Sequence, residues 1–233
     1  MAKAGSSSSA HRQSEGSGSS IHAPAFESLT RDLRRIFDRH LASLIAYGEG
    51  DVDGVHTLAL VDQLTFTDLA KCGPLTSGWR RMGLATPLIL TDHEFRRSLD
   101  VFPLEYGDII AHHVVLAGSD PFAALPVAEA DLRRGCERQV KSQLIHLREG
   151  FLETASDPVQ ITALIAASAA PLRKLLAHLE NLEPGAAERA GMTGELIREI
   201  AGAAEATIAD PSALLARYLT AVERLWQYVD AWR

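Results

Sequence analysis

The sequence predicts an α+β protein in which a small mixed β-sheet domain is followed by an α-helical bundle domain. Three observations carry that prediction. Residues 41–62, LASLIAYGEGDVDGVHTLALVD, place two apolar runs on either side of a short acidic, glycine-rich turn. A second aliphatic run, TPLILT at 86–91, lies between stretches of helical spacing. From residue 129 onward, apolar side chains recur every three or four positions over long segments, the pattern of amphipathic helices.

Taken in order, the opening MAKAGSSSSAHRQSEGSGSS has too few large apolar side chains to offset the entropy of ordering it. Residues 1–23 are therefore expected to be a flexible tail. Near Pro24 a first helix begins, with Phe26, Leu29, Leu33, Ile36 and Phe37 on one face. A strand over Leu44 to Tyr47 and a second over VHTLALV follow. Their join, residues 49–54, is far shorter than the dozen residues a parallel crossover needs, so the two are expected to pair antiparallel. Residues 66–82 read as helix interrupted at CGPLTSG, where Gly73, Pro74 and Gly78 break it. TPLILT is the next strand, and DHEFRRSL a short helix with Asp92 as its N-cap. The segment DVFPLEYGDIIAHHVVLAGSDPF reads as one or two further strands ending in a Gly-Ser-Asp-Pro turn. The sheet domain is thus expected over residues 24–127.

Residues 128–233 form the expected bundle. A first stripe runs through Leu132, Cys136, Val140, Leu144, Leu147 and Phe151, and a second through Ile161, Ile165, Leu172, Leu175 and Leu179. Asp157-Pro158 and Asp210-Pro211 supply cap and first-turn signals. Pro171 is expected to kink its helix without ending it, because the stripe continues in phase beyond it. A weaker helix is expected over roughly 188–207, and the last one carries Leu214, Tyr218, Val222, Leu225 and Trp226 inward. Trp226, Tyr228 and Trp232 exceed what one stripe can bury, which points to a homodimer.

Composition narrows the function classes. A net charge of -7 works against nucleic acid as a partner, since phosphate neutralisation needs a cationic surface. No apolar run approaches the roughly 20 residues of a membrane span and the N-terminus carries no secretory signal core, so no membrane is expected and the address is cytoplasmic. Cys72 and Cys136, far apart and without metal-ligand spacing, are expected to be inert thiols.

Asp51 and Asp53 have the one-residue spacing of a paired magnesium site, but lying before the second strand they are read as residues of an ordinary acidic turn. Two other groupings are less directed. Asp92, His93 and Glu94 with His112 and His113 hold metal-ligand chemistry, but neighbours in each run point different ways. The pairs Arg80-Arg81, Arg96-Arg97 and Arg133-Arg134 are read as solvated helix surface.

An α/β unit with this opening followed by a helical bundle resembles the minimal nucleotidyltransferases of the DNA polymerase β superfamily, the kanamycin nucleotidyltransferase type. GLATPLILTDHEFRRSLDVFPLEYGDIIAHHVVLAGSDPF is its most specific part, similar to a branch of bacterial nucleotidyltransferase-like proteins. The resemblance implies a Gly-Ser pair ending the first strand, a D-x-D pair starting the second, a third carboxylate on a later strand, and magnesium held between them to neutralise the nucleotide's phosphates. Mapped onto this chain, Gly48 matches the glycine, Glu49 takes the serine position, and the D-x-D slot falls on His56, Thr57 and Leu58. A nucleotide cradle would fall on Gly48, Glu49, Gly50 and His56. Asp100 is the first choice for the third carboxylate, ahead of Glu105 and Asp108. The resulting expectation is a catalytically degenerate nucleotidyltransferase-like protein that binds a nucleotide, a small molecule or a protein, with no cofactor. The alternative is an active magnesium-dependent enzyme that moves a nucleoside monophosphate to a hydroxyl acceptor through Asp51, Asp53 and Asp100.

Overall fold

Helix α1 (Ala23–Phe37) opens with a proline in its first turn and buries Ala25, Leu29, Leu33 and Phe37 along one face. This computed structural model describes residues 22–51, 54–205 and 207–232, so the tail expected at 1–23 lies, up to residue 21, outside the described residues. The chain divides into two compact units: residues up to Glu94 with His112–Ala123, and Phe95–Ala111 with Ala124 onward.

In the first unit a sheet of four described strands has the order β3-β2-β1-β4. Strands β1 (Leu41–Asp51) and β2 (Gly54–Val61) pair antiparallel, from Leu41 opposite Val61 to Asp51 opposite Gly54. Both strands therefore run further into the expected 49–54 connection than hydropathy alone suggests, and no helix is inserted between them. Strand β4 (His113–Gly118) adds antiparallel to β1, and β3 (Leu88–Thr91) adds parallel to β2. That parallel step needs a long crossover, supplied by α2 (Phe66–Cys72), a 3-10 turn at Gly73–Leu75 and α3 (Thr76–Arg81). Leu44, Ala59, Val61 and Ala117 pack with Leu29, Leu33 and Phe37, so α1 covers one sheet face. Each such side chain removed from water contributes about 1.5–3 kcal/mol before entropy is counted. Trp79, wholly buried, donates its indole N–H to Asp32 of α1 at 3.0 Å, which ties the crossover to that helix.

Two local expectations are corrected. Helix α4 (Asp92–Arg97) is capped by Thr91 rather than Asp92: the Thr91 hydroxyl accepts the Glu94 N–H at 3.1 Å, and the Glu94 carboxylate accepts the Thr91 N–H at 2.8 Å. This reciprocal cap satisfies two donors at the helix start. Those hydrogen bonds also hold the Glu94 carboxyl below its ordinary range. The segment expected to be strand around residues 100–110 is instead helix α5 (Pro103–Ala111). Pro103 suits a first helical turn, and Leu104 and Ile109 turn inward at helical rather than alternating spacing. Only HVVLAG remains extended.

The second unit is built on α6 (Glu129–Glu153), α7 (Pro158–Leu182) and α10 (Pro211–Asp230), with shorter α8 (Ala186–Arg189) and α9 (Gly194–Ala201) between them. Its core gathers Cys136, Val140, Leu144, Ile161, Ile165 and Leu172 with Tyr218, Val222 and Leu225 of the last helix. Helix α7 continues through Pro171, as the unbroken stripe requires. The helix expected over 188–207 is broken, because Gly191 adopts φ +87, a left-handed conformation that ends a helix. Burial pushes the Cys136 thiol up to about 12, and Cys72 is also buried with its thiol raised, as expected of unreactive cysteines.

Asp157 caps α7 by accepting the N–H groups of Val159 at 2.8 Å and Gln160 at 3.0 Å. Asp157→Ala should therefore lose about 1 kcal/mol in chemical denaturation, with no change in near-neutral spectra of the folded state. Helix α7 is also long and apolar enough to cross a membrane by length and composition, which corrects the expectation that no stretch is. Its stripe Ile161, Ile165, Leu172, Leu175 and Leu179 is nevertheless buried in the bundle core. The three C-terminal aromatics also behave differently from expectation. Trp226, Tyr228 and Trp232 all pack against the core, with Lys141 over Trp226, Arg189 over Tyr228 and Arg133 over Trp232. Tyr228 donates its hydroxyl to Glu183, holding that carboxyl below its usual range. The expected homodimer draws no support from these rings.

Candidate functional site

Strand pairing determines what the sheet face opposite α1 presents. Residues directly opposite share a face, so His56 with Tyr47, and Leu58 with Ile45, lie on the side away from α1. Tyr47 is also opposite His113 and Ile45 opposite Val115, while Leu58 and Leu60 stand beside Leu88 and Leu90 of β3. The result is a row His56–Tyr47–His113 across three strands, followed by an aliphatic layer. Tyr47 and His56 stack with ring centres 5.7 Å apart. His113 Nε2 lies 3.2 Å from Asp120 Oδ1, and the same oxygen accepts the Phe122 N–H at 2.8 Å, the Asx turn that the Gly-Ser-Asp-Pro signal announced.

The three residues in the D-x-D slot have different surroundings. His56 is half-buried in the aromatic row. Thr57 points to the α1 side, is 1% exposed, and its hydroxyl has no partner among the described residues. Leu58 is 0% exposed, and the side chains of its neighbours Ile45 and Leu88 carry no oxygen a hard cation could use. The strand beside β2 on the side away from β1 is β3, and its residues Leu88, Ile89, Leu90 and Thr91 include no carboxylate.

The remaining expected residues are scattered. Gly48 adopts φ +70 near the end of β1. Glu49, Gly50 and Asp51 continue the β1 backbone, but their side chains, and Asp53 entirely, lie outside the described residues. Asp100 is exposed in the turn between α4 and α5, in the second compact unit, and not on a strand. Among the described residues no group of three or more His, Cys, Asp or Glu side chains is arranged to hold a metal ion. In the Asp92, His93, Glu94, His112 and His113 grouping, Glu94 serves its own helix cap and His113 is turned to Asp120. The paired arginines are engaged locally: Arg80 with Thr86, Arg133 with Glu129, Arg134 with Asp131.

Glu105 and Asp108, expected within a strand segment, sit three residues apart on one face of α5 and line a cleft of about 430 Å³ in the helical unit. Gln139 of α6 and Lys174 and His178 of α7 complete its polar lining, over Leu104 and Leu175. His178 Nε2 lies 3.4 Å from Asp108 Oδ2. Sequence reasoning missed Gln139, Lys174 and His178. The available signal was the i, i+4 spacing of Lys174 and His178, which puts both on one face of the helix.

No family model and no curated protein matches the sequence. Among solved structures the chain is similar to spectinomycin adenyltransferase AAD(9) from Enterococcus faecialis, determined with ATP and spectinomycin. The TM-score is 0.52, identity is 11%, and the match covers 89% of this chain and 99% of that one. The chain has a nucleotidyltransferase-like fold. At this identity the likeness speaks to architecture, a mixed sheet unit with a helical unit, and function has to be argued from residues.

Proposed function

We propose that this chain is a nucleotidyltransferase-fold binding protein that takes up a nucleotide or small molecule without carrying out transfer. The observation that carries the reading is Leu58, wholly buried between Ile45 and Leu88 at the position where the fold's second metal carboxylate would stand. Phosphoryl and nucleotidyl transfer depend on metal and positioned charge to offset the charge developing on the transferring group. An aliphatic layer in place of paired oxygen ligands supplies neither. The carboxylate-free β3 supports the same reading, as does Asp100 lying in an exposed turn of the helical unit.

The fold neighbour's complex with ATP and spectinomycin supports ligands of these two kinds. In this reading Gly48, Glu49, Gly50 and His56 border the nucleotide, and the stacked Tyr47–His56 pair offers it a flat aromatic surface. No magnesium is required. The experiment is titration calorimetry of nucleoside triphosphates with magnesium and with EDTA, beside incubation with labelled triphosphate and aminoglycoside-like acceptors. Affinity should be the same in both buffers, and no label should reach the protein or the acceptor. Magnesium-dependent binding with transfer that Asp51→Asn, Asp53→Asn or Asp100→Asn abolishes would instead establish an active nucleotidyltransferase.

A further inference from the structure

The helical-unit cleft between α5, α6 and α7 is concave, and its volume of about 430 Å³ falls within the range of small-ligand pockets, roughly 300–1,000 Å³. Its charges sort into two kinds. Asp108 and His178 face one another at 3.4 Å. Glu105 and Lys174, one carboxylate and one ammonium from different helices, are exposed and have no hydrogen-bond or ion-pair partner among the described residues. Gln139 adds an amide that both donates and accepts. Leu104, 7% exposed, and Leu175, 2% exposed, form an apolar floor, with Ala170 and Pro171 at the rim.

We infer that this cleft binds a zwitterionic α-amino acid with an apolar side chain. A ligand carrying only positive charge would meet Lys174, and one carrying only negative charge would meet Glu105. Either like-charge contact is unfavourable. A molecule with an ammonium and a carboxylate on one carbon satisfies both free groups through charge-assisted hydrogen bonds. Gln139 is placed to serve the same polar head, and the leucine floor receives the side chain. The site uses no residue of the sheet face, so the inference goes beyond the reading given above and stands or falls separately from it.

The test is titration calorimetry of the full chain with each apolar L-α-amino acid as the probe. At least one should bind with a dissociation constant of about 1 mM or tighter. Its N-acetyl derivative and its methyl ester should each bind at least roughly tenfold more weakly, because each removes one charge. E105Q and K174Q should each weaken it by a similar factor, and both variants should melt with the parent chain because these side chains are exposed. Saturable binding by none of the amino acids overturns the proposal, as does affinity that either cap or either substitution leaves unchanged. Nucleoside triphosphate titration of the same two variants reads the sheet-face proposal independently.

Discussion

Leu58→Asp is expected to destabilise the protein by about 3–5 kcal/mol, because it leaves a carboxylate buried without a partner. Leu58 is 0% exposed, with Ile45 opposite on β1 and Leu88 opposite on β3, and no donor lies on either neighbour's side chain. The introduced carboxyl can escape part of the cost by staying protonated, so the loss should shrink as pH falls toward the ordinary carboxylate range. Denaturant titration of parent and variant at neutral and acidic pH measures both effects. His56→Asp, at a half-buried position in the aromatic row, should cost far less. A variant with both substitutions therefore recreates the letters of D-x-D without recreating a metal site. Loss of less than about 1 kcal/mol by Leu58→Asp would mean that this position is open to water, and the argument for a silent catalytic face would fail with it.

Gly54→Ala is expected to lose about 2–3 kcal/mol, for a steric and a conformational reason that act together. Gly54 starts β2 with φ +104, and a Cβ there would stand 2.5 Å from the Gly83 carbonyl oxygen. That carbonyl accepts the Val55 N–H at 2.9 Å, and Ala85 donates back to the Val55 carbonyl at 3.0 Å, so neither strand can withdraw without losing pairing. Gly48 provides the control. Its φ is +70, but a Cβ there meets nothing within 4 Å, so Gly48→Ala should carry only the cost of a left-handed alanine, roughly 1–2 kcal/mol. Equal losses in the two variants would show that Gly83 does not constrain the hairpin.

The long helices are legible from residue pattern because periodicity reports burial directly. The stripe from Leu132 to Leu147, the capping pair Asp157-Pro158 and the stripe of α7 each specify a helix locally, and each is found where the spacing puts it. The antiparallel hairpin of β1 and β2 follows from the shortness of its link. Residues 100–111 were harder. FPLEYGDII mixes aliphatic and aromatic side chains that suit either a strand or a helix turn, and the side chains it packs against lie far away in sequence, so pattern alone does not choose.

The site shows the same limit more sharply. That Leu58 rather than Asp occupies the D-x-D slot can be read from the sequence alone. That this leucine is wholly buried, and that the strand beside it is the carboxylate-free β3, depends on a parallel crossover which no local signal encodes. Asp100, close in sequence to β3, is delivered to a turn of the helical unit because α4 intervenes. Glu105, Gln139 and Lys174, separated by as many as 69 positions, meet around one cleft only because α5, α6 and α7 pack together. The sequence by itself determined the long helices and which chemistry the D-x-D slot lacks, since both depend on residues near in the chain. Tertiary structure alone decided which strand borders that slot and which charged groups share a cleft, since those depend on contacts whose energy is realised only after distant segments are brought together.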